Sequence, residues 1–324
     1  MSVTKAERTD DLADFGPMSC RVASLPDARA WCNRLTRTHG ENFSVLSRFV
    51  PPSLVEDFSA VYAFCRSADD LGDETGSRER SIELLGWWRD QLHACFAGQS
   101  SHPVFVALEP VIARHALPIE PFDRLISAFE MDQTKLRYET WDEVIGYCRL
   151  SADPVGRLVL MLLDESRDEE RLRASDAICT ALQLTNHWQD ARRDLLERER
   201  IYIPRDRWHT DRFEERLLAT CQKGYAPDQS FLASWRESLR ELCSRTWGLF
   251  EAGSALVPML KQESRPLIWL FLAGGMATLR EIEKWNFETC ISRPRLSKCS
   301  KLLLVMQAKR SSRRMVGTPG VHSG

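Results

Sequence analysis

Apolar positions recur at spacings of three and four through most of this chain, the period of helices that each turn one stripe toward a core. Leu54, Phe58, Val61, Tyr62, Phe64 and Cys65 keep that spacing, and the stretches 81–96, 120–135 and 228–257 do the same. Residues 141–164 carry Val144, Tyr147, Cys148, Leu158 and Leu162, with Pro154 predicting a kink or break, since proline brings no N–H to the helical ladder. A long pattern runs from Ser175, which has the chemistry of an N-cap, to Arg200. Two-residue alternation and Asn-Gly hairpin signals are missing, which argues against a β domain. Prolines and glycines gather between the helical stretches, at 50–53, 98–103, 117–121 and 224–228. The longest apolar run, 267–279, is closed by Pro266 and Arg280. It is shorter than the roughly 20 residues a bilayer span needs, so it predicts a buried core helix. The pattern predicts an all-α protein with one helical domain over 21–306, a polar tail over 1–20 and a basic, aperiodic tail over 307–324.

Composition narrows the classes. Hydrophobic residues are 43% and charged residues 28%, enough apolar material for an ordinary core. A net charge of −2 gives no electrostatic case for nucleic acid as a partner. The ten cysteines are scattered with no CxxC, so they read as reduced core thiols of a cytoplasmic protein. The polar, mixed-charge N-terminus does not resemble a signal peptide. Loose attachment at a membrane surface stays open, with Lys309, Arg310, Arg313 and Arg314 either a solvated tail or a contact to anionic lipid.

Two acidic stretches carry the candidate chemistry. The first reads Arg66-Ser-Ala-Asp69-Asp70-Leu-Gly-Asp73-Glu74; the second places Asn186, Asp190 and Asp194 in register after Gln183. Oxygen groups four apart lie on one helix face and can present adjacent ligands to one ion. Magnesium suits such a set, being a hard cation that binds through one or two carboxylates and substrate phosphate. Zinc does not, because neither stretch holds cysteine and His187 points about 100° away from its neighbours. The alternative reading is a solvated acidic face. Against it stand the mutual repulsion of like charges four apart, the apolar stripes that lead into both stretches, and the fact that there are two of them. Phosphate-binding glycine loops, HExxH and GxSxG are absent.

At these residues the chain resembles the squalene/phytoene synthase family. YAFCRSADDLGDE (62–74) is similar to that family's first aspartate-rich motif, and QLTNHWQDARRDLLERERIYIP (183–204) to its second. YETWDEVIGYCRLSADPVG (138–156) resembles the segment between them, and the likeness runs from about His39 to Leu304. GENFSVLSRFVPP, YCRLSADPVGRL and LTNHWQD further resemble the hydroxysqualene-forming branch. That branch typically reads LTNFWQD, and Gln189 stands where many relatives have arginine.

The resemblance implies a class I isoprenoid synthase fold, a bundle of roughly ten or more helices around a central cavity. It implies Mg²⁺ held by Asp69, Asp73, Asn186, Asp190 and Asp194, and a prenyl diphosphate substrate, presqualene or farnesyl diphosphate. It further implies neighbouring enzymes of the squalene pathway as partners. For the hydroxysqualene branch the implied reaction takes presqualene diphosphate, expels diphosphate and captures the rearranged cation with water, without NADPH. Condensation of two prenyl diphosphates to squalene, presqualene diphosphate or phytoene is the near alternative. A non-catalytic helical lipid-binding scaffold is the distant one. Asp69, Asp73, Asp190, Asp194 and Tyr147 are the catalytic candidates. Arg66, His39, Gln183, Arg200, Tyr202 and Arg293 are the candidates for holding substrate. For Tyr147 core packing, for His39 a structural role and for Arg293 surface charge are the competing readings, and Asp70 and Glu74 are read as supporting groups.

Overall fold

The computed structural model describes residues 14–19, 21–39 and 49–311, without the side chains of His39, Arg310 and Ser311. The GENFSVL segment, the His39 side chain and the first residues of the polar tail lie outside that description. The described residues are helical, with no strand among them. They divide into two compact units, the first comprising 1–134 with 157–167, the second 135–156 with 168–324.

In the first unit α1 (Leu25–His39) packs on α2 (Val55–Asp73) and α4 (Pro103–His115), while α3 (Arg78–Phe96) and α5 (Glu120–Thr134) also pack on α2. Two of these helix starts have a local cause in a side-chain cap. Ser77 accepts a hydrogen bond from the Arg80 N–H to open α3, and His102 accepts from the Val104 N–H, ahead of Pro103, to open α4. The core is aromatic, with Phe64 edge-on to Phe122 at 5.0 Å between centroids and Trp88 against Phe105 at 4.5 Å, all fully buried. His102 sits among Trp31, Trp87, Trp88 and Phe105, and burial lowers its pKa to about 3.

In the second unit α6 (Trp141–Ser151) opens on the Thr140 cap; α7 (Asp153–Leu162) follows after one residue, its first four residues in the second unit and the rest in the first, so the break falls where Pro154 predicts it. The chain then enters α8 (Glu169–Arg198), a 30-residue helix against which α6, α9 (Phe213–Lys223), α10 (Gln229–Ser254) and α12 (Arg265–Lys284) all pack. The start of α8 corrects the sequence reading. Asp168 is the N-cap, accepting from the Arg171 N–H at 3.0 Å, and Ser175 is buried inside the helix. A Cβ on Gly156 would lie 2.5 Å from the Ser175 Oγ, so a small residue is required there for packing and not for capping.

Short α11 (Leu256–Met259) links α10 to α12. The apolar run 267–279 lies inside α12, with Leu267, Leu272, Met276 and Leu279 buried as the pattern requires. Among the described residues no helix is long and apolar enough to cross a membrane. The last helix, α13 (Lys298–Ser311), packs on α12 and runs past Gln307, where the sequence pattern had ended.

Candidate functional site

The first acidic stretch occupies the last two turns of α2 in the first unit. Arg66 donates to both carboxylate oxygens of Asp70, from Nε at 3.2 Å and from Nη2 at 2.5 Å. The same guanidinium lies 3.3 Å from the Asp69 carboxylate and 3.8 Å from that of Glu74. One arginine thus faces three carboxylates, which answers the repulsion expected of like charges one turn apart. Asp69 and Asp73 are both partly exposed on this stretch. The helix end is held from outside: Ser81 Oγ and Gln133 Nε2 both donate to the Gly72 carbonyl, at 2.9 and 3.0 Å. Asp73 therefore follows a carbonyl that is fixed from two other helices, an arrangement no local pattern announces.

The second stretch lies in the latter half of α8, in the second unit. Asn186 is exposed, whereas Asp190 and Asp194, one and two turns on, are buried. Arg293 donates from Nη2 to Asp190 Oδ2 at 3.0 Å and also pairs through Nε with Oδ1, while Arg193 approaches Oδ2 at 3.1 Å. Arg293, for which phosphate contact and surface charge are the two readings, is exposed and at the same time bound to Asp190. Gln189 donates to the Pro294 carbonyl at 2.6 Å and so holds the segment that carries Arg293. Asp194 has Arg193 and Arg198 at 3.7 Å each. Burial nevertheless pushes its carboxyl up to about 7, with Arg193 opposing and Asp190 adding to the rise. Gln183 is half-buried two turns before Asp190.

Helix α8 ends at Glu199, which adopts a left-handed φ of 59°, and the Arg200 N–H returns to the Asp194 carbonyl at 3.0 Å. The chain then runs beside residues 136–139, with the Ile201 N–H on the Leu136 carbonyl and the Arg205 N–H on the Tyr138 carbonyl. That return buries Arg200 and Tyr202. The Tyr202 ring stacks on His187 at 3.7 Å between centroids, and Tyr138 and Tyr147 each lie 5.6 Å from Tyr202. Tyr147 is buried within this four-ring cluster and lies 5.8 Å from His187. His187 is held neutral, its pKa lowered to about 3 by burial and then by the Arg200 cation, and its Nε2 makes no hydrogen bond.

The structure thus brings together, within the second unit, Tyr147, His187, Arg200 and Tyr202, and separately Asp190, Asp194 and Arg293. The sequence reading gave no role to His187 or Tyr138. The signal available was a histidine, His187, set among the apolar positions of LTNHWQD.

The donor set is one of carboxylate oxygens with an amide, the chemistry of a hard divalent cation. Among the described residues of either unit, no group of three or more His, Cys, Asp or Glu side chains is gathered to hold a metal ion. Asp69, Asp70, Asp190 and Asp194 are instead engaged by arginines. A groove of about 450 Å³ in the first unit is bounded by Leu25, Val106, Glu109 and Pro110, and none of the predicted site residues lines it.

Against known proteins, a family model described as squalene/phytoene synthase matches residues 36–300. A hydroxysqualene synthase of Rhodopseudomonas palustris is 42% identical over 176 residues, 53% of this chain and 58% of that protein, so the match spans less than two thirds of it. A hydroxysqualene synthase of Sinorhizobium fredii is 35% identical over 223 residues, 68% of this chain and 72% of that one. Among solved structures, squalene synthase HpnC from Alicyclobacillus acidocaldarius aligns with a TM-score of 0.71 and 41% identity, covering 81% of this chain and 95% of that one. A dehydrosqualene synthase aligns with a TM-score of 0.75 at 22% identity, a likeness of fold alone. The all-helical architecture is that of these squalene synthase-like terpenoid synthase folds.

Proposed function

The chain belongs to the squalene/phytoene synthase family, and from that premise we propose that it converts presqualene diphosphate to hydroxysqualene with loss of diphosphate. Two relatives called hydroxysqualene synthases, at 42% and 35% identity, support the narrow assignment. The observation that carries the chemistry is that both acidic stretches are neutralised by arginine: Arg66 on Asp70 and Asp69, Arg293 and Arg193 on Asp190.

Magnesium, when bound with the substrate, supplies positive charge to the departing diphosphate. In this reading Asp69, Asp73, Asn186, Asp190 and Asp194 hold it, with phosphate oxygens completing the ligand set. With a cation held by those carboxylates, Arg66 and Arg293 would be free to donate charge-assisted hydrogen bonds to phosphate oxygens. Charge is then exchanged between partners already present, so the site binds an anion and its cations together. Loss of diphosphate leaves a carbocation, which needs an apolar site without a competing nucleophile, and Tyr147 is the candidate to line it. Gln183 and Arg200 flank the second acidic stretch and would orient the diphosphate, and His39 lies ahead of the first stretch in the sequence. One water captures the cation, forming a C–O bond and releasing a proton.

The test is substrate choice. Full-length protein with Mg²⁺ is incubated with presqualene diphosphate or with farnesyl diphosphate alone, and the products are identified by mass spectrometry. Hydroxysqualene from the first and no C30 product from the second is the expected result. A C30 product from farnesyl diphosphate alone, or a C40 product from geranylgeranyl diphosphate, overturns the assignment in favour of a condensing enzyme. Asp73→Ala and Asp190→Ala are expected to abolish turnover with helicity retained. Wild-type protein that ionises no prenyl diphosphate would leave only the scaffold reading.

A further inference from the structure

Gln189 is buried on α8 at 8% exposure, one residue before Asp190, and both ends of its amide are engaged. Its Nε2 donates to the Pro294 carbonyl at 2.6 Å, and its Oε1 accepts from Arg293 Nη2 at 3.4 Å. That same Nη2 donates to Asp190 Oδ2 at 3.0 Å, and Arg293 Nε pairs with Oδ1. Two neighbours on one helix thus hold two neighbours on the segment between α12 and α13. The two grips differ in kind. The one on the Arg293 side chain is a pairing of charges, with which a cation on Asp190 competes. The one on Pro294 is made to a backbone carbonyl and does not involve the carboxylate.

Packing alone is the plainer account of a buried glutamine, since a buried amide needs partners wherever it sits. Two observations point past it. Pro294 is buried while Arg293 and Arg295 on either side are exposed, so the carbonyl that Gln189 holds is the anchored point between two arginines. The Arg293 side chain, 38% exposed, is also open to an anion arriving from solvent. A long side chain loses rotamer freedom when an anion fixes it, and a backbone held in advance at its root lowers that cost.

We propose that Gln189 is a positioning residue for diphosphate: by clamping the Pro294 carbonyl to α8, it keeps Arg293 beside the second acidic stretch when Asp190 holds a cation. The inference rests on the diphosphate reading of this site, but not on which prenyl chain the diphosphate carries.

Inorganic pyrophosphate with Mg²⁺ is the probe, and its affinity is measured by calorimetry on the full-length wild type, Q189M, R293A and the double variant. Methionine keeps the length of the side chain and removes both hydrogen bonds. Q189M is expected to bind about tenfold more weakly than the wild type. R293A weakens binding too, and Q189M/R293A should bind no more weakly than R293A, because the loss in Q189M passes through Arg293. A merely structural glutamine would leave the affinity of the folded protein unchanged or give losses that add. Either result overturns the proposal and leaves the diphosphate reading intact, whereas a wild type that binds no magnesium pyrophosphate overturns both. Trypsin cleavage after Arg295 of the wild type, followed by mass spectrometry, needs no substitution and so survives a variant that fails to fold. Magnesium pyrophosphate should slow that cut, as Arg293 takes the anion with its root still clamped. An unchanged or faster cut sinks the proposal.

Discussion

Arg293 shows what a single position reveals and conceals. Its type and place near the end of the chain fit either phosphate contact or surface charge, and the structure adds what neither reading contains, a bond to Asp190. Removing it leaves Arg193, itself partly exposed, as the guanidinium on this buried carboxylate. Arg293→Ala is therefore expected to lower stability by about 1–3 kcal/mol, the cost of leaving a buried charge short of partners. Mg²⁺ should raise the melting temperature of this variant more than that of the wild type, because a cation can replace the lost guanidinium. Equal Mg²⁺ responses would refute that role. His102 offers a cleaner titration, far from the acidic stretches in sequence. Its folded pKa, about 3, lies below the ordinary 6.5, so the unfolded chain binds the extra proton between those values. The stability it contributes is complete above pH 6.5 and is lost as pH falls toward 3. His102→Asn keeps a capping acceptor for the Val104 N–H but removes the ring from its aromatic surroundings. The variant should be less stable at neutral pH and show a shallower loss between pH 6.5 and 4 in urea denaturation. An unchanged acid slope would show that His102 is not responsible.

At the scale of helices, α8 was readable over most of its length and misread at its start. Ser175 carries every local mark of a cap, yet tertiary packing uses it as a small residue against Gly156, and the cap is Asp168. Asp168→Ala should cost about 1 kcal/mol, while Ser175→Ala should stay within about 0.5 kcal/mol. Reversal of that order in chemical denaturation would restore the sequence reading. Close helix approach is equally invisible in the pattern. A Cβ on Gly253 of α10 would lie 2.9 Å from the Ile178 backbone nitrogen of α8, and one on Gly275 of α12 would lie 2.5 Å from Leu182. A backbone atom cannot turn aside as a side chain can. Gly253→Ala is expected to destabilise by about 1–3 kcal/mol despite the better helix propensity of alanine. A rise in melting temperature would show that the helices can separate without cost.

For the whole molecule, the nine described cysteines are free, and burial pushes most of their thiols well up, Cys32 and Cys221 to about 12. Reductant should leave the melting temperature unchanged, and rapid thiol modification of the folded protein should fall in Cys299→Ser, the exposed one among them. A reductant-sensitive melt would reveal a bond that the thiol geometry denies. Helical class, the break at Pro154, the burial of 267–279 and the four-residue spacing of both acidic stretches were all determined by sequence. They depend on periodicity, on proline chemistry and on which neighbours share a helix face, and these are properties of local order. Only tertiary structure decided that Arg293 meets Asp190 across a hundred residues of chain, that His187 stacks on Tyr202, and that Gln189 reaches the Pro294 carbonyl. Those outcomes depend on which surfaces remain after helices have packed, and a one-dimensional pattern specifies the faces without specifying their partners.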